Sequence, residues 1–183
     1  FAKLHWRQTG FLPSSDLDSG QTPRNLMGQK DGTANFNPDS EDFRQTVWQD
    51  QQNLVGATTM VIRRIQMKLD DWEKLSPDLK EKVIGRKLQS GAPLSGGDEF
   101  TPADLDKTDH HGLVIPGDAH MRRAKTGEFK IHRRSYSYQT ETDASGNLDH
   151  GLIFVAFQKN LDQFIKIQQR LDAMDSLNTW TTP

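Results

Sequence analysis

The chain has 183 residues, a formal net charge of −2, 33% hydrophobic and 26% charged residues, and no cysteine. The near-neutral balance excludes the clustered basic excess of a nucleic-acid binder, and no apolar run approaches the roughly 18 residues of a membrane span. The lack of cysteine excludes disulfides, thiolate metal ligands and cysteine nucleophiles. Apolar content is lean for a self-sufficient core, and Phe1 rather than Met opens the chain. The expectation is therefore a fragment whose core is completed by further sequence.

Lys3-Leu4-His5-Trp6-Arg7-Gln8 alternates loosely and predicts a short strand. From Pro13 to about Asp42 the chain is polar and rich in Gly, Pro, Asn and Asp, a long loop of the kind that is functional or disordered. The β-branched run from Thr58 to Met67, bounded by Gly56, predicts a strand. Leu69 to Leu75 suits a short helix. Ser76 as N-cap, Pro77 at the first position and Asp78 in the first turn start another that runs to about Gly85. Residues 89–117 form a second long loop. Ile131 to Tyr138 predicts a strand, Ser145-Gly146-Asn147 a turn, and Leu152 to Gln158 a further strand. Asn160 can cap a last amphipathic helix with Leu161, Phe164, Ile165 and Leu171 on one stripe, and a short helix ends near Trp180. Strands mixed with helices, without regular βαβ alternation, predict an α+β fold with a mainly antiparallel sheet.

Three elements could carry chemistry. Gly28-Gln29-Lys30-Asp31-Gly32 is a Gly-x-x-Asp-Gly turn, where glycines allow close backbone approach of a ligand; such a sequence is also a common surface turn. Of the six histidines, His5, His132 and His150 have no ligand spacing, and His110-His111 suits a loop. His120 follows Ile115-Pro116-Gly117-Asp118-Ala119, which suits a helix start capped by Asp118, and would project from a rigid first turn. A neutral imidazole there can ligate a metal or serve structure alone. Arg133, on a strand beside aromatics, can meet an anion or snorkel outward.

Taken together and in this order, Gly-x-x-Asp-Gly, Asp-Ala-His-Met-Arg and Ile-His-Arg-Arg-Ser-Tyr resemble the dye-decolourising peroxidase family, and most closely its bacterial branch of Tat-exported, iron-uptake-linked members. Val61-Ile62-Arg63-Arg64-Ile65, Gly85-Arg86, Ser90 to Leu94 and Leu148 to Val155 support the likeness. It covers nearly the whole chain but only the C-terminal half of such enzymes, so that residues 1–183 would be the haem-binding C-terminal domain.

The resemblance implies a ferredoxin-like α+β domain, the second of two in the full enzyme. It implies haem b as cofactor and His120 as axial ligand to its iron. Asp31 would be the distal acid/base and Arg133 the group that stabilises O–O cleavage, with Arg134 on the opposite strand face. Gly32, Thr33, Ala34 and Asn35 would neighbour the haem, Arg86 would lie near a propionate, and Leu152 and Phe154 would roof the distal pocket. Asp175 is the candidate carboxylate supporting His120. The implied reaction is oxidation of dyes or phenols by hydrogen peroxide; the alternative is a deferrochelatase-like protein that carries haem or releases its iron. A carboxylate keeps its accepting form down to about pH 4, below the range of imidazole, so an acidic optimum is implied. The oxidising equivalent would leave through the haem edge or a surface aromatic, with Trp48, Tyr136, Tyr138 and Trp180 as candidates. The N-terminal half of the same protein and further copies of the chain are the implied partners, and the implied location is secreted or in the cell envelope or periplasm, with the cytoplasm as alternative. Gln29 departs from the pattern by replacing a common aromatic, and Lys125-Thr126-Gly127 by replacing a longer segment.

Overall fold

In a computed structural model of the chain, residues 2–14, 20–125, 127–140 and 148–182 are described. Helix α1 spans Glu41–Val47, strand β1 Thr59–Met67, α2 Leu69–Glu73, α3 Pro77–Ile84, β2 Thr108–Asp109, β3 Gly112–Leu113 and α4 His120–Ala124. Then come β4 His132–Arg133, β5 Tyr136–Thr140, β6 Asp149–Gln158, α5 Leu161–Met174, a 3-10 turn at Ser176–Thr179 and β7 Thr181–Thr182. The fold is α+β, consistent with a ferredoxin-like domain. Its main sheet runs β4-β6-β1-β7, with β5 also on β6. Every pairing is antiparallel.

Local signals explain the best-defined elements. Ser76 Oγ accepts the Leu79 N–H, Pro77 needs no N–H partner, and Gly85 ends α3 in the left-handed region at φ 90°. Helix α5 starts where Gln163 Oε1 accepts the Asn160 N–H at 2.8 Å. Its buried side centres on Ile167 with Phe164 and Leu171 partly buried; Leu161 and Ile165, expected on that stripe, are exposed. A stripe of a 3.6-residue helix cannot hold both Phe164 and Ile165 equally deep, and the sheet takes the Phe164 side.

Register decides what faces the core. Ile65 sits opposite Leu152, Arg63 opposite Phe154 and Val61 opposite Ala156, so these side chains share one face. Arg63 donates to Gln168 on α5 at 2.6 Å, and Phe154 packs on Phe164 with ring centroids 6.0 Å apart, so α5 covers this face. The other face leaves Met60 and Ile62 exposed. At the β1–β6 contact a Cβ on Gly151 would stand 1.9 Å from the Ile65 carbonyl oxygen, so only glycine lets the strands meet there. The core gathers Met27, Met67, Trp72, Val83, Ile84 and Leu152. Trp72 is its largest member and donates its indole N–H to the Met27 carbonyl at 3.1 Å; truncating such a residue costs about 3–5 kcal/mol. That bond ties the polar loop before α1 to the core.

Several expectations are corrected. Lys3 to Gln8 form no strand, because no strand among the described residues pairs with them; Leu4 and Trp6 are exposed, and Phe11 bridges to Ser137. Helix α1 stands just where the loop was expected to end, capped by Ser40 Oγ. The strand expected over Ile131 to Tyr138 is interrupted between β4 and β5, although the pairing with β6 keeps one register across the gap. Asp118 does not cap α4: Ala119 is the N-cap, and Asp118 accepts from the Ser176 hydroxyl at 2.5 Å instead. The turn at 145–147, Thr126 and part of the Pro13–Asp42 loop lie outside the described residues.

Candidate functional site

Three segments far apart in sequence carry the expected site residues, and two of them, the Asp31 loop and β4, meet beside the covered sheet face. The first is the loop carrying Asp31. It folds back on itself through the bridge between Arg24 and Lys30, with the Asp31 N–H donating to the Pro23 carbonyl at 2.8 Å. Arg24 donates to the carbonyls of Gly28 (2.7 Å), Leu88 (2.7 Å) and Gln89 (2.6 Å), pinning the loop to the turn after α3. Gly32 adopts φ 122°, which an L side chain rarely reaches, so the backbone requires a glycine directly after Asp31.

The second segment is β4. Arg133 stands opposite Ala156 and so shares the face of Leu152 and Phe154. Its Nη2 lies 3.1 Å from Asp31 Oδ1, an ion pair with 28% and 16% of the two side chains exposed. Asn35 fixes the Arg133 backbone at both ends, donating to its carbonyl at 2.7 Å and accepting its N–H at 3.0 Å. Arg134 falls on the other side and donates to the Tyr136 hydroxyl at 3.1 Å. Leu152 and Asp31 both line a cavity of about 10 Å³ with Leu12, Pro23 and Ser135.

Arg86 completes the cationic edge. Its Nη1 donates to the carbonyls of Gly91 (2.6 Å) and Glu99 (2.9 Å). Burial holds its pKa below the usual arginine range; Glu99 works the other way, and the nearby charge of Arg133 lowers it further. Two guanidiniums close enough to feel each other favour an anionic group between or beside them.

The third segment is α4. His120 is its first residue and sits half-buried; its Nδ1 lies 2.6 Å from Asp175 Oδ2. Asp175 is 7% exposed and links the end of α5 to the 3-10 turn, its Oδ1 accepting the Leu177 N–H at 2.9 Å. The Nδ1 position is thus taken, and Nε2 is the nitrogen left to face a ligand. Among the described residues no group of three His, Cys, Asp or Glu gathers as a bare metal ion would need. One imidazole backed by a carboxylate is a donor set compatible with an axial haem ligand.

The remaining residues sort plainly. Thr33 donates to Glu99 at 3.0 Å, and Ala34 is exposed. Leu152 is buried in the core, and Phe154 packs beside it and on Phe164. His110 and His111 stack on each other at the exposed β2–β3 turn, away from the core. Tyr138 is fully buried, its phenol pushed up to about 12 by burial, so it is no surface relay. Trp180 packs edge-on against Trp72 at 5.4 Å, whereas Trp48 is 40% exposed. Glu99, Lys30 and Gln29 escaped sequence reasoning as site neighbours. Glu99 lies in a long polar loop with no spacing to mark it, and only the aromatic-to-glutamine departure hinted at Gln29.

The family model for the C-terminal part of Dyp-type peroxidases matches residues 22–183. A dye-decolorizing peroxidase of Thermobifida fusca is 37% identical over 97% of this chain and 44% of its own length. A deferrochelatase of Escherichia coli K12 is 35% identical over 98% of this chain and 45% of its own. The crystal structure of a DyP-type peroxidase from Cellulomonas bogoriensis superposes with a TM-score of 0.88 at 43% identity, over 97% of this chain and 51% of that one. An oxyferrous complex of DtpA from Streptomyces lividans does so at 0.83 and 42%, over 88% of this chain and 46% of that one. The chain thus spans about half the length of the relatives it matches. With Asp31, His120 and Arg133 all inside the matched region, the chain belongs to the Dyp-type peroxidase family and corresponds to the C-terminal part of its members.

Proposed function

We propose that this chain is the haem-holding domain of a peroxidase that uses hydrogen peroxide to oxidise dyes or phenols, and that His120 would hold haem b while Asp31 and Arg133 would act on the peroxide. Two observations support the reading: Asp31 and Arg133 form a carboxylate–guanidinium pair, and the Nδ1 of His120 is held by a buried aspartate. Haem would supply an iron that accepts peroxide and takes up its oxidising equivalents.

The chain's own residues would do the rest. His120 presents Nε2 while Asp175 accepts the Nδ1 proton, which fixes the tautomer and raises the ligand's basicity. Asp31 accepts a proton from the near oxygen of peroxide and returns it to the far one. Arg133, 3.1 Å from Asp31, steadies the charge that develops on the departing oxygen. Arg86, beside Arg133, suits a propionate. Leu152 and Phe154, on the same face, keep that space apolar and short of water.

The exposed Met60 and Ile62 support the further reading that the N-terminal half of the same protein covers the open sheet face. A second function, haem carriage with iron release, is favoured by the deferrochelatase relative. Transport alone needs neither Asp31 nor Arg133, which weighs for peroxide chemistry. The test uses the full-length protein loaded with haem. His120→Ala should abolish the Soret band of a ligated haem, and Asp31→Asn should keep the band but slow the reaction with peroxide by about 10²- to 10⁴-fold. An unchanged band or an unchanged rate overturns the respective role. Oxidised phenol as product identifies a peroxidase; free porphyrin and released iron identify the second reading.

A further inference from the structure

Glu99 is a carboxylate that the proposed chemistry leaves without a task, yet it is 8% exposed in a loop where its neighbours are wet. Burying a charge is costly unless it is paired and bonded. Here it is both. Lys30 Nζ donates to Oε2, and Thr33 Oγ1 donates to Oε1 at 3.0 Å. The Thr22 hydroxyl donates as well. Burial works to raise the Glu99 pKa, but these bonds and the Lys30 charge outweigh it and hold the carboxyl below its ordinary range. Glu99 therefore stays ionised and accepts hydrogen bonds; it does not shuttle protons.

The three donors are not scattered. Thr22 opens the loop that carries Asp31, and Lys30 and Thr33 flank Asp31 on either side. One carboxylate thus grips that loop at its start and around its reactive residue. Its own carbonyl accepts from Arg86 at 2.9 Å, which joins the same clamp to the cationic edge of the site. The backbone is shaped around it: Gly91 sits at φ +76°, and a Cβ there would come within 2.8 Å of Lys30 Cδ and 3.3 Å of Glu99 Cγ. A buried ion pair is an inefficient way to gain stability compared with apolar packing. Its use at this point suits a need for geometry.

We propose that Glu99 is a positioning residue that sets Asp31 through Lys30, Thr33 and Thr22 and orients Arg86 through its carbonyl. The inference rests on the reading of Asp31 as proton acceptor. It predicts that Glu99 matters for the peroxide step only while Asp31 is present.

The test is a double-mutant cycle in the full-length, haem-loaded protein, following the reaction with hydrogen peroxide by stopped flow. Glu99→Gln should slow that reaction about tenfold, since small misplacements of a reacting group carry costs of this order, with the Soret band unchanged. In the Asp31→Asn background, Glu99→Gln should slow it no further. Equal slowing in both backgrounds, or none in either, overturns the proposal. If Asp31→Asn alone reacts as fast as the parent, the role of Asp31 fails first, and that of Glu99 with it. Thr22→Val removes a single bond and covers the case in which Glu99→Gln does not fold; it should slow the reaction about threefold, again only with Asp31 present. A readout independent of activity is hydrogen exchange in the haem-free full-length protein. The amides of residues 29–33 should exchange faster in Glu99→Gln, and unchanged exchange there overturns the clamp.

Discussion

Asp175 Oδ2 lies 2.6 Å from His120 Nδ1, while its other oxygen accepts the Leu177 N–H at 2.9 Å. Two donors therefore share one carboxylate that joins the end of α5 to the last turn of the chain. Asp175→Asn keeps the shape but has a single acceptor oxygen for both. The expected result is a loss of haem affinity of about 10- to 100-fold, the usual cost of removing the group behind a metal-ligating histidine. Titration of the haem-free protein with haem, followed at the Soret band, checks it. Affinity equal to the parent's would mean that Asp175 serves the turn alone.

Asn35 serves the opposite side of the site. Its amide donates to the Arg133 carbonyl at 2.7 Å and accepts the Arg133 N–H at 3.0 Å, in the manner of a neighbouring strand. Asn35→Ala leaves both backbone groups of a partly buried strand without partners, at about 1–3 kcal/mol. A lower Tm and a slower reaction with peroxide are expected together, because the freed strand carries the guanidinium that meets Asp31. Asn35→Asp should restore only the bond from the Arg133 N–H and recover part of the stability.

What could be read from sequence follows from how local its cause is. The start and stop of α3 rest on Ser76, Pro77 and Gly85, all inside the helix or one residue beyond it, and both ends were legible. The strand β1 was legible from its β-branched run. Lys3 to Gln8 alternate loosely, but a strand exists only where a partner takes its hydrogen bonds, and none does among the described residues. Asp118 had the right spacing to cap α4, yet Ser176, 58 residues away, took its carboxylate. At the site, Asp31, His120 and Arg133 stood out in the sequence only because their motifs resemble a family's. Glu99 was not, since its meaning depends on Lys30, 69 residues earlier, and no periodicity encodes that contact.

Gln29 stands two residues before Asp31, is 5% exposed, and its side-chain Nε2 has no hydrogen-bond partner among the described residues. An unsatisfied buried donor costs about 1–3 kcal/mol, whereas an apolar group of similar length costs nothing of the kind. Gln29→Met should therefore stabilise the haem-free protein by about 1 kcal/mol, read as a higher urea midpoint with unchanged slope. A lower midpoint would mean that the amide does find a partner in solution.

His132 neighbours Arg133 on β4 and packs edge-on against Phe43 with ring centroids 4.9 Å apart. Burial first, then the charges of Arg134 and Arg133, hold its pKa below the ordinary value of 6.5. As pH falls below that value, the unfolded chain takes up a proton before the folded one does. Stability that is fully present above 6.5 is then lost as the pH drops toward the folded pKa. His132→Phe keeps an aromatic ring against Phe43 and cannot titrate. Its Tm should fall less steeply than the parent's as the pH is lowered from 7 through this window. Glu99 acts in a separate range: its carboxyl is held below the ordinary 4.5, so its contribution is intact above that value and disappears only at lower pH. The His132→Phe protein should therefore keep its acid limb below about pH 4.5 while losing the shallower one above it. Parallel Tm–pH curves for parent and variant between pH 5 and 7 would show that His132 does not carry the upper limb.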